Sequence, residues 1–173
     1  MATMRPAPWI RRLRKDDGGS ALLEGAIVVP VLFALVLGAL EFSFFFFQQH
    51  LIAMGVRDAA RYLARTDPTV GATQTAAQNL AATGSITTTA FRRVAGFEPS
   101  DVAITFAFVN NPLASGVRPF RESADWCGGT TDQVRIIVVT GTYRYTSLGF
   151  LAFFHLSIPN TTVVHRERCI GSA

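Results

Sequence analysis

Gly19-Ser20-Ala21-Leu22-Leu23-Glu24 and the run that follows it, GAIVVPVLFALVLGALEFSFFFF at positions 25–47, decide the architecture of this 173-residue chain. The run contains one ionisable residue, Glu41, and is preceded by Arg5, Arg11, Arg12, Arg14 and Lys15. About 20 consecutive apolar residues suffice to cross a bilayer as a helix, and basic residues beside a span stay on the cytoplasmic side. The pattern therefore predicts one membrane helix with its N-terminus in the cytoplasm. A cleaved secretory leader would need an apolar region of only ~7 to 15 residues ending at small residues. Here the apolar character continues through Phe42 and 44–47 with no A-x-A-like exit, so retention in the membrane is expected.

Working outward, the helix need not stop at the membrane boundary. Ile52, Val56, Ala59, Ala60 and Leu63 recur at helical spacing, with Arg57, Asp58, Arg61 and Arg65 mostly on other faces. Asp67-Pro68 should end the helix, because proline disfavours helical geometry in the residue before it. A rod over 20–65 would extend ~70 Å at 1.5 Å per residue. Asp58 and Arg61 are spaced i, i+3, a surface pair worth ~0.2 to 0.5 kcal/mol, and a solvated face is the simpler expectation.

Beyond the rod, the alanine- and glutamine-rich stretch 70–83, stopped by Gly84, predicts a short second helix. Val102, Ile104, Phe106 and Phe108 alternate with Ala103, Thr105 and Ala107, the period of a strand with one face buried, and Asn110-Asn111-Pro112 breaks it. A long loop through Gly116, Pro119 and Cys127 follows, then a β-branched strand over 134–145. A third strand over 157–168 starts poorly, since Pro159 belongs at an edge. The apolar stretch 148–154 is too short to span a bilayer and reads as a buried turn of the core; the other reading is a hydrophobic loop that touches membrane or partner. The expected fold is α+β: a long N-terminal membrane-spanning helix continuing into a small domain with a short second helix and a three-stranded antiparallel sheet. The corresponding division is a basic leader over 1–19, a span over 20–47, and an extracytoplasmic domain over 48–173 opened by an amphipathic helix at 48–66.

Formal net charge is +4, of which +3 resides in the first nineteen residues, so the basic balance is an orientation signal and no nucleic acid partner is expected. Cys127 and Cys169, the only cysteines, both lie beyond the span, and an even count in a compartment permitting disulfides predicts one bridge; the alternative is two unpaired apolar side chains. His50, His155 and His165 lack metal-ligand spacing, and neither a phosphate loop nor a nucleophile elbow occurs. Neither enzymatic activity nor a cofactor is expected. Asn160-Thr161-Thr162 fits a glycosylation sequon.

The order of Gly19-Ser20-Ala21-Leu22-Leu23-Glu24, Pro30, Leu37-Gly38-Ala39-Leu40-Glu41-Phe42 and Arg57-Asp58-Ala59-Ala60-Arg61-Tyr62-Leu63-Ala64-Arg65 resembles the TadE-like family. The resemblance implies a pseudopilin that assembles, initiates, caps or anchors Flp pili of a tight-adherence system, with a prepilin peptidase, other pilins and pseudopilins, an inner-membrane assembly platform and membrane lipid as partners. It implies cleavage between Gly19 and Ser20, and pairing of Glu24, then the fifth residue, with the free amine of a neighbouring subunit. Pro30 would supply a bend for extraction, and Glu41 either an interfacial carboxylate or one that faces a partner in the bilayer. The major Flp pilins carry Glu-Tyr where this chain has Glu24-Gly25, which favours a minor pseudopilin. A bacterial inner-membrane location follows, with the C-terminal domain periplasmic or extracellular. The competing class is a permanently anchored envelope protein with an extracytoplasmic binding domain.

Overall fold

The computed structural model describes residues 18–87, 90–112, 127 and 133–170. The basic leader, and most of the loop expected after Pro112, lie outside the described residues. In order come helix α1 (Gly18–Arg65), helix α2 (Gly71–Thr83), a 3-10 turn (Pro99–Asp101), strands β1 (Val102–Asn110) and β2 (Gln133–Tyr143), a one-turn helix α3 (Phe150–Phe153) and strand β3 (Thr161–Arg168). The chain forms two compact units, Met1–Phe42 and Ser43–Ala173, and α1 supplies residues to both.

The first unit consists, among the described residues, of α1 up to Phe42. Pro30 lies inside this helix, which continues past it without interruption. An apolar window long enough to cross a membrane lies here, and none of it is buried.

In the second unit, β1, β2 and β3 form an antiparallel sheet in sequential order, the three-stranded sheet expected from the sequence. β3 begins after Pro159, and as an edge strand it tolerates a proline at its approach. The predicted stripe Ile52, Val56, Ala59, Ala60 and Leu63 is fully buried, together with Ile137, Val139 and Tyr143 of β2. Where α1 crosses β2 there is no room for a side chain. A Cβ on Gly141 would lie 2.9 Å from Val56 Cγ2 and 3.1 Å from Phe97 Cζ.

α2 packs its small residues Ala77, Ala81 and Ala82 into the same core. It ends at Gly84, whose φ of 81° is the left-handed conformation that closes a helix and that glycine adopts without a Cβ penalty. Gly55 of α1 faces Ala81 so closely that an added Cβ would meet its backbone carbonyl.

Two expectations need correction. The alternating face of β1 is buried only at its start: Val102 is buried, whereas Phe106 and Phe108 are exposed and receive the Arg135 guanidinium at 5.3 and 5.6 Å from their ring centroids. The apolar stretch 148–154 is not a core turn. Leu151 alone is buried, while Leu148, Phe153 and Phe154 are exposed. Alternation or apolarity identifies a segment able to be buried, but the amount of opposing surface decides whether it is.

Candidate functional site

The candidate site is the exposed N-terminal half of α1. Gly19, Ser20 and Glu24 all lie on the helix and are exposed. Glu24 lies six residues along α1 from its first described residue, Gly18. A start at Ser20 would instead put Glu24 four residues from the new terminus, one turn along and on the same face. Leu22, Leu23, Ile27, Phe33, Val36 and Leu40 are exposed around the helix. An apolar surface of this size belongs in lipid or against another helix. Glu41 differs from Glu24: it is only 1% exposed. Of these two carboxylates, Glu24 is therefore the exposed one.

The phenylalanine cluster divides by helical phase. Phe44 and Phe45 turn inward and pack on the core of the second unit, with Phe45 edge-on to Tyr145 at 5.2 Å, while Phe46 and Phe47 remain exposed. One turn further along, buried Gln48 accepts a 2.6 Å hydrogen bond from the Tyr143 hydroxyl. Burial holds the Tyr143 phenol above its ordinary value of 10.0, opposed by hydrogen bonding to Thr146. Near the other end of α1, Asp58 accepts from Arg93 at 2.9 Å, so its partner is supplied by the segment after α2 and not by Arg61 at i, i+3.

Cys127 and Cys169 are bonded, with Cα atoms 5.5 Å apart and a sequence separation of 42. Cys169 also donates its N–H to Arg135, and Ile170 donates to the Ala64 carbonyl, so the segment after β3 is tied to both β2 and α1. In the turn after α1, Asp67 accepts from the Thr69 hydroxyl at 2.6 Å and the Thr69 N–H at 2.9 Å, and these bonds hold its carboxyl below the ordinary 3.8. Among the described residues, no three His, Cys, Asp or Glu side chains gather in a way that could hold a metal ion. A cleft of about 880 Å³ lies between Gly96, Arg144–Ser147 and residues of 151–160, and Arg144 and Tyr145 are the titratable side chains in its lining.

Of the residues singled out in the sequence, Gly19 and Glu24 lie exposed on α1 and Glu41 is buried, whereas Gly55, Gly141 and the Gln48–Tyr143 pair were not singled out. A glycine in a helix or strand is a sequence signal for close approach, although it does not name the partner.

Helix α1, part of which is long and apolar enough to cross a membrane, and the unit of helices and antiparallel sheet that follows are consistent with a membrane-anchored α+β protein. Comparison with family models adds a more particular likeness: residues 19–61 match the model described as TadE-like protein, and over this part the chain is similar to that family. The match suggests involvement in a tight-adherence (Flp) pilus system. No curated protein and no solved structure matches the chain.

Proposed function

We propose that this protein is a minor pseudopilin of a Flp-type pilus. It is made as an inner-membrane precursor with a cytoplasmic N-terminus, cut between Gly19 and Ser20 by a prepilin peptidase, and takes part in assembly, initiation or anchoring of the filament. The observation that carries the reading is the exposed helix behind Gly19: an apolar surface all round, preceded by a single exposed carboxylate at Glu24. A lone carboxylate at the edge of such a surface is costly in a bilayer without a compensating charge. The amine freed on Ser20 of an adjacent subunit is such a charge. Pairing the two would set the stagger between neighbours as their apolar helices bury one another. The TadE-like match to residues 19–61 supports the same reading. The protein is then the substrate of an enzyme and not an enzyme itself, and its other partners are pilins and the assembly platform.

The test is the N-terminus of the membrane-extracted protein, determined by mass spectrometry with and without the peptidase. A peptidase-dependent start at Ser20 is expected. A start at Met1 or Ala2 in both strains would reject processing and leave a permanently anchored envelope protein whose extracytoplasmic unit binds a partner.

A further inference from the structure

We infer that the loop carrying α3 is a second membrane contact, inserting its apolar side chains into the outer face of the bilayer that α1 crosses. The placement follows from how α1 and β2 run against each other inside the second unit. At one end, Ile170 bonds Ala64 and Cys169 bonds Arg135; in the middle, Gly141 lies on Ile52 and Val56; then Tyr143 bonds Gln48 and Tyr145 meets Phe45. As β2 proceeds towards its C-terminus, α1 is retraced towards Phe45. The segment after Tyr145 must therefore emerge at the end where the chain enters the unit, at 43–47. Chain connectivity makes that end the one next to the span.

The loop is built for such a contact. Phe153 is 78% exposed, Leu148 62% and Leu156 60%. No Asp, Glu, Lys or Arg occurs over 145–160. Backbone entering lipid must satisfy its own polar groups, and four consecutive N–H groups of this loop do so: Phe153 donates to Gly149, Phe154 and Leu156 to Leu151, and His155 to Ala152. The left-handed conformations of Gly149 (φ 118°) and His155 (φ 55°) close the turn on both sides. Buried Leu151 roots it in the core, and the Phe153 and Phe154 rings pack edge-on at 5.2 Å. Phe and Leu are typical of the apolar face of an interfacial segment, and such faces enter by roughly 5–10 Å. Phe46 and Phe47 lie exposed on α1 at the same end of this unit.

This inference rests on the membrane-anchored reading, and the experiment separates the two. The full chain, with Trp9 and Trp126 replaced by Phe, receives one tryptophan as F153W, V36W or F91W. Each variant is reconstituted into phosphatidylethanolamine–phosphatidylglycerol vesicles with or without bromine on the acyl carbons nearest the headgroup. Phe91 is 97% exposed, and its neighbour Arg93 pairs with Asp58, about 20 Å further along α1 than Phe45, so F91W reports on water. Bromolipid should quench V36W and F153W and leave F91W bright. Quenching of V36W without F153W would overturn the loop contact and leave the anchor standing. A blue-shifted but unquenched F153W would also overturn it, because a protein surface would then cover the loop. An unquenched V36W would overturn the anchor itself. L156W repeats the measurement where F153W fails to fold.

Discussion

Gly55 is the position at which one methyl group should cost most. On α1 it faces α2, and an added Cβ would lie 3.0 Å from the Ala81 carbonyl carbon, 3.3 Å from its Cα and closer still to its oxygen. All three are backbone atoms and cannot rotate away. Carbon atoms prefer separations of about 3.5–4.0 Å, so G55A forces the two helices apart by roughly 1 Å. Overpacking of this kind costs ~1–3 kcal/mol, and a rigid backbone contact belongs at the upper end. Alanine recovers ~1 kcal/mol through its helix propensity. The net loss should be about 2 kcal/mol, a fall of about 8 °C in the unfolding midpoint of a unit this size. G55V should lose more, since it adds two further methyl groups. The control is G71A, at the exposed start of α2, where an added Cβ meets nothing within 4 Å; it should stay within about 0.5 kcal/mol of the parent. Urea titration of the full chain in micelles, followed by near-ultraviolet circular dichroism, measures all three. A G55A protein as stable as the parent, with unchanged dependence on urea, would refute the close crossing of α1 and α2.

Three further outcomes are expected. Y143F removes the buried bond to Gln48 and leaves an acceptor unsatisfied, a loss of about 1–3 kcal/mol by the same titration. Because the folded protein holds the Tyr143 proton more tightly than the unfolded chain, the parent's stability should begin to fall as pH rises past 10.0, and Y143F should flatten that limb. The Asp67 carboxyl should titrate below 3.8 in a carbon-13 NMR titration, with the stability it contributes present above that pH and lost as pH falls through its folded value; T69V, which removes the hydroxyl donor, should bring it back towards 3.8. Replacing Cys127 and Cys169 by Ser opens a 42-residue loop, so the unfolding free energy should drop by about 4 kcal/mol in the chain-entropy model, with loss of the mobility shift between reducing and non-reducing gels.

The sequence by itself determined the elements. An uninterrupted apolar run followed by helical spacing at 52–63 specifies α1, since helical hydrogen bonds and periodicity are local. Alternation specified β1 and a β-branched run β2, a third strand was expected with a poor start at Pro159, Gly84 stopped α2, and the basic leader with Gly19 and Glu24 marked the end of the chain that carries the candidate site. With two cysteines, a single bridge has one possible pairing. Tertiary structure alone decided which apolar groups are covered and which polar groups meet. Asp58 finds Arg93 across 35 residues of chain and Tyr143 finds Gln48 across 95, distances over which no periodicity carries information. Phe153 and Ile137 are both large and apolar, yet one faces outward and the other is fully buried. Burial is a property of the surface brought opposite a residue, and the crossing of α1 over β2 fixes that surface.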